Sequence, residues 1–121
     1  MASKAIKSVT RRKVLFSNYE PAETTAEKAR GLMFRRSIEK PLLFTFETEG
    51  RKRNSIHSLF CFCSFDAIFL DSDRKVVDIW HGIEPFSWKI FVPRAPAKYL
   101  IECGDGDAKR LKIRVGEKLN F

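Results

Sequence analysis

Apolar residues in this chain come in short runs separated by polar or proline-bearing breaks, and few of the runs keep a helical spacing. Lys13–Tyr19, Leu42–Glu47, Ile56–Ser64, Ala67–Asp71, Val76–Trp80, Lys98–Cys103 and Leu111–Val115 each have strand length and are rich in β-branched, aromatic or other apolar residues. Glu20-Pro21 stops the first run, because proline donates nothing to a ladder. Asp71-Ser72-Asp73-Arg74 reads as a hairpin turn whose short polar side chains satisfy turn amides. Pro93 and Pro96 hold the chain extended ahead of the Lys98 strand, and Gly104-Asp105-Gly106-Asp107 ends that strand in a turn. Helical signals converge in one place only. Thr24 precedes Glu27 at capping-box spacing, Ala26, Ala29 and Met33 share a face, and Gly31 stands where the chain leaves a helix, which predicts a short helix from Thr25 to about Leu32. The pattern as a whole predicts a mainly β fold, a small β-barrel or sandwich of six or more short strands with one short covering helix.

Composition narrows this to one domain. The 121 residues are 44% hydrophobic, enough for one core but too few for two. Eleven phenylalanines against two tyrosines and two tryptophans point to an aromatic-rich interior. No repeat, linker or low-complexity tract divides the chain, so residues 13–121 read as a single β-rich domain and residues 1–12 as a basic N-terminal arm that can be mobile. No apolar run reaches the roughly 20 residues of a membrane helix, and no cleavable leader follows the N-terminal charges, so a soluble cytoplasmic protein is expected. Three cysteines cannot complete a disulfide framework. Cys61 and Cys63, on one side of an expected strand, are badly spaced for a bridge, so reduced thiols are expected.

The net charge of +8 would attract polyanions. The excess is concentrated at Lys4, Lys7, Arg11, Arg12 and Lys13, at Arg51, Lys52 and Arg53, and at Lys109, Arg110, Lys112, Arg114 and Lys118. Such runs are usually solvated turns and strand edges.

The stretches ARGLMFR at Ala29–Arg35, LLFTFE at Leu42–Glu47, FDAIFLD at Phe65–Asp71, VVDI from Val76, PAKYLIE at Pro96–Glu102 and VGEKLNF from Val115 follow one another in the order of a known bacterial and archaeal family. The chain resembles that family, domain of unknown function 192, over most of residues 14–121. The resemblance implies a small, mainly β fold with the Gly-Leu-Met helix over one side, and it implies no enzyme class. Many members carry an aromatic-methionine-lysine-asparagine sequence before the aspartate that corresponds to Asp66. Here the stretch reads IHSLFCFCSF, closer to histidine-bearing archaeal members, and Ser64 stands where a proline is common.

Candidate chemistry is sparse. Asp66 interrupts an apolar run, so its carboxylate must reach water or find donors, and Arg30 is the first partner to test, as a structural pin or as part of a site. His57, Cys61 and Cys63 alternate onto one face of the expected Ile56–Ser64 strand. The C-x-C spacing is not the C-x-x-C knuckle of a zinc site, and the acidic Gly104–Asp107 turn lacks the further oxygens of a calcium loop, so no metal and no cofactor is expected. The leading reading is a non-catalytic module that binds an unknown small or polymeric ligand at Arg30, His57 and Asp66, with no membrane partner. The alternative is an RNA- or polyanion-binding module using Arg51, Lys52, Arg53, Trp80, Trp88 and Lys89, since cations and exposed rings together suit single strands. A thiol- or histidine-dependent enzyme ranks third.

Overall fold

The computed structural model describes residues 5–22, 37–58 and 61–121. The helix expected over Thr25–Leu32, and Arg30 with it, lies outside those residues. The described chain forms two sheets that do not close into a barrel and pack in a sandwich-like arrangement. The smaller sheet has the order β2-β1-β8, with β1 at Ile6–Ser8, β2 at Lys13–Phe16 and β8 at Leu119–Asn120. The larger has the order β3-β4-β7-β5-β6, with β3 at Glu20–Ala22, β4 at Leu42–Gly50, β5 at Phe65–Leu70, β6 at Val76–Ile83 and β7 at Ala97–Gly104. β3 and β4 run parallel, and the other pairs of this sheet are antiparallel. One helical turn, α1 at Asp107–Arg110, follows β7. Among the described residues no helix is long and apolar enough to cross a membrane.

Both faces of the larger sheet are covered. Ile6, Phe16 and Leu119 of the small sheet, with Ala108 of α1, pack on Leu43, Ile68, Leu70, Ile101 and Cys103. On the opposite face Leu42, Phe44, Phe65, Ala67, Phe69 and Leu100 pack beneath Cys61 and Phe91 from two loops. All six residues of β5 are therefore buried, which is why FDAIFL reads as a continuous run without alternation. The β5–β6 turn matches its sequence reading: Arg74 N–H donates to Asp71 O, Asp71 Oδ1 accepts from Asp73 and Lys75 N–H, and Arg74 takes a positive φ of 63°.

Three expectations are corrected. Ile56–Ser64 is not a strand: beyond isolated bridge positions at Ile56, which pairs with Phe91, and at Cys61, its described part runs as loop, so Cys61 and Cys63 share no strand face. Leu111–Val115 is not a strand either. Its apolar-polar alternation follows the end of α1, and Ile113 alone of the five is buried. The stretch read as a basic arm contains β1, the central strand of the small sheet, with Ile6 fully buried.

The two chain ends are joined through buried Glu117. Its carboxylate accepts hydrogen bonds from Ser8 Oγ, from Arg11 Nε at 2.7 Å and from the Arg114 N–H at 3.2 Å. Burial works to raise the pKa of this carboxyl, but the hydrogen bonds from Arg11, Ser8 and Arg114, with the Arg11 charge, outweigh it and hold the group below its ordinary value. Because β1 is held from both sides, Ile6→Ala is expected to cost about 2–5 kcal/mol in urea unfolding. An unchanged midpoint would show that β1 contributes nothing to the core.

Candidate functional site

Asp66 lies on the β5 face that looks toward α1 and is 0% exposed. Its donors are backbone amides: Gly82 N–H reaches Oδ1 at 2.8 Å, while Gly106 and Ala108 N–H reach Oδ2 at 3.1 and 2.9 Å. Gly82 and Gly106 take positive φ values of 59° and 91°, a conformation that glycine adopts without the strain a side chain would add. The carboxylate thus ties β6 and the start of α1 to β5. His57 is exposed on the loop of the other face, so the structure does not bring Asp66 and His57 together.

The other face carries a platform made of two stapled loops. The first comprises residues 51–58 and 61–64 and opens with a 3-10 turn at Lys52–Asn54; the second is residues 84–96. Arg51 Nε donates to Pro93 O at 3.0 Å, and Ile56 and Phe91 exchange backbone hydrogen bonds of 3.1 and 2.8 Å. Ser58, fully buried, donates from Oγ to Glu84 O at 2.6 Å, accepts from Ser87 N–H, and offers its carbonyl to Phe86 N–H. Asn54 donates from one side-chain nitrogen to Thr48 O and Ala97 O, pinning the 3-10 turn to β4 and β7. At the far end of the second loop, Asp78 accepts from the Arg94 N–H at 3.1 Å.

Rings populate this platform. Phe62 and Phe86 pair at 5.1 Å between centroids, and Trp80 meets Phe91 edge-on at 5.1 Å. Lys89 Nζ stands 5.3 Å from the Trp80 ring centre and 5.4 Å from that of Phe91. The Trp80 indole N–H is buried and has no hydrogen-bond partner among the described residues. Trp88 is 83% exposed, with Phe86 at 56% and Ile90 at 62% beside it in sequence. Large apolar side chains exposed to this degree make these loops a candidate interaction surface. Arg51, Lys52 and Arg53 stand at the edge where the first loop leaves β4. Ile90 escaped the sequence reading because an apolar-rich chain gives no hint which aliphatic side chains stay outside.

Glu102 was also missed. It sits on β7 opposite Leu42 and Ala67, is 7% exposed, and its carboxyl has no hydrogen-bond partner among the described residues. Burial pushes its pKa from 4.5 up to about 8, so it is a neutral acid at pH 7. Burial, Glu102 and Cys63 push the Cys61 thiol to about 12, and burial, followed by Asp66, Asp107 and Glu102, raises Cys103 as well. Thiols held neutral in this way are poor nucleophiles, which weighs against the thiol-enzyme reading at these two cysteines. All three cysteines are free.

Two outcomes test these assignments. Asp66→Ala leaves three amides without their acceptor and is expected to cost about 3 kcal/mol or more in urea unfolding, with Asp66→Asn losing less; equal stability of Asp66→Ala and wild type would refute the tie. For Glu102, the folded pKa lies above the unfolded one, so its contribution to stability falls as pH rises from about 4.5 towards 8 and levels off beyond. Glu102→Gln is expected to flatten the stability profile between pH 5 and 8 by an amount on the order of 3 kcal/mol, whereas parallel profiles would show that the group ionises freely.

Comparison with known proteins fits this architecture. A UPF0127 protein of Pyrococcus furiosus is 34% identical over 114 residues, covering 94% of this chain and 95% of that protein. A crystal structure of a protein of unknown function from Novosphingobium aromaticivorans superposes with a TM-score of 0.83 at 28% identity, over 97% of this chain and 82% of that one. A second solved structure, from Sinorhizobium meliloti, gives a TM-score of 0.83 over 98% of this chain and 93% of its own, and at 23% identity it shares the fold alone. The model of DUF192, an uncharacterised family, matches residues 7–121, and the chain belongs to that family.

Proposed function

We propose that this protein is a binding module for single-stranded nucleic acid, with the stapled loops as its contact surface. The observation that carries the reading is the exposed aromatic and apolar group of Phe62, Phe86, Trp88 and Ile90 on a chain of net charge +8. Single strands are bound sequence-tolerantly by rings that accept unstacked bases and by cations that follow the backbone. Trp88 and Phe86 supply ring faces open to solvent, and Lys89, Arg51, Lys52 and Arg53 supply charge on the same pair of loops. Rigidity supports the assignment as well. The hydrogen bonds through Ser58, Ile56 and Arg51 fix the loop backbones before any ligand arrives, so little ordering entropy is lost on binding.

The small-ligand reading at Arg30, His57 and Asp66 draws less support, because Asp66 is enclosed and its oxygens already accept three amides. His57, exposed on the first loop, fits the platform better as one more polar contact.

Titration of the full chain with a short oligouridylate, followed by tryptophan fluorescence at low and moderate salt, tests the proposal. Wild type is expected to bind with an affinity that falls steeply as salt rises. Trp88→Ala is expected to lose roughly 5- to 100-fold, corresponding to one stacked base at about 1–3 kcal/mol. Absence of binding at low salt, or equal affinity of Trp88→Ala and wild type, would refute it.

A further inference from the structure

A second surface lies where the chain ends meet, apart from the stapled loops. Pairing of β1 with β8 brings Thr10 and Arg11 against the segment from Lys112 to Glu117, and together these residues line a cleft of about 460 Å³. Two basic runs separated by nearly the whole sequence therefore become one wall. Sequence alone could not show this, because the small sheet creates the contact.

The charge balance of this wall is uneven. Arg11, Lys112 and Arg114 line it together with a single carboxylate, Glu117. Both oxygens of Glu117 are engaged, one by Ser8 Oγ and Arg11 Nε and the other by the Arg114 N–H. It therefore has little capacity left for the side chains of Lys112 and Arg114, and neither has an ion-pair partner among the described residues. Arg11 is held by Nε on Glu117 with its side chain 30% exposed, and its Nη2 has no hydrogen-bond partner among the described residues. Thr10 Oγ1 accepts from the Lys118 N–H, which leaves its hydroxyl hydrogen to donate.

We propose that this cleft binds the phosphoryl group of a small phosphomonoester. A guanidinium held in place by a carboxylate, two further cations and a hydroxyl form a donor set matched to a tetrahedral dianion. The volume lies in the range of small-molecule sites, and Val115, 61% exposed on the lining, offers an apolar contact to the organic part of the ligand. The cations are gathered around one bounded cleft instead of along a stripe, which favours a small ligand over a polymer.

Calorimetric titration of the full chain with inorganic phosphate, AMP, adenosine and oligouridylate tests this. Phosphate and AMP are expected to bind and adenosine is not. Lys112→Gln and Arg114→Gln are each expected to weaken AMP several-fold, and the double variant at least tenfold, with the melting temperature of the unliganded protein unchanged. Trp88→Ala is expected to bind AMP as wild type does, which separates this site from the nucleic-acid surface. Adenosine binding as tightly as AMP, no phosphate or AMP binding, or AMP binding unchanged in the single variants would each overturn the proposal. So would oligouridylate affinity that depends on Lys112 and Arg114 but not on Trp88, because the cleft would then be part of a polymer track.

Discussion

The carboxylate of Asp66 has to be satisfied inside the protein, because the residue is wholly enclosed and an unpaired charge there would be strongly unfavourable. Three backbone amides satisfy it, and they come from β6 and from the start of α1. One side chain on β5 therefore sets where an edge strand bends and where the chain turns after β7. Gly82, which gives one of those amides, is followed by the strand end from which the second platform loop departs. Gly106 and Ala108 lead into the turn that carries the chain to Lys112, Arg114 and Glu117. Both proposed surfaces thus begin at segments anchored by the same carboxylate.

Glu117 plays the corresponding part for the small sheet, with a different balance. It is bound by a guanidinium and a hydroxyl from the N-terminal segment, so its ionised form is favoured in the fold despite burial. Glu102 is the opposite case. Burial, with no hydrogen-bond donor among the described residues, raises its pKa to about 8 and favours the protonated acid at pH 7, and its cost to folding is the retained proton. Asp66, Glu117 and Glu102 are thus handled in three ways: by amides, by an ion pair with hydrogen bonds, and by protonation.

Much of the fold was legible because burial on both faces writes a continuous apolar run, as in Phe65–Leu70, and because turn residues such as Asp71 and Asp73 act locally. The failures share a physical cause. Ile56–Ser64 reads as a strand since its apolar residues cover the sheet from outside, where loop and strand have the same hydrophobic content. Its polar marker, Ser58, bonds the backbone of residues 84–87, a contact no local pattern encodes. Leu111–Val115 has strand alternation, yet Ile113 alone is buried. β1 is too short to stand out among lysines. Of the platform residues, Trp88 and Lys89 were singled out from residue type alone. Glu102 was not, since a glutamate near a strand end ordinarily faces water.

β6 settles how the two surfaces relate. Its first residue, Val76, donates to Glu117 O and accepts from Gly116 N–H, so one end of the strand is fastened to the wall of the cleft. Its last residue, Ile83, precedes the loop that carries Phe86 and Trp88. A strand of this length spans about 23 Å at roughly 3.3 Å per residue, more than twice the screening distance of about 8–10 Å at physiological salt. Charges in the cleft therefore add little to the local field at the rings, and ligand affinity at either surface has to come from groups that touch the ligand there. That separation is why the basic composition of the chain divides between two chemically distinct surfaces: cations beside rings on the loops, and cations around a cleft at the joined chain ends.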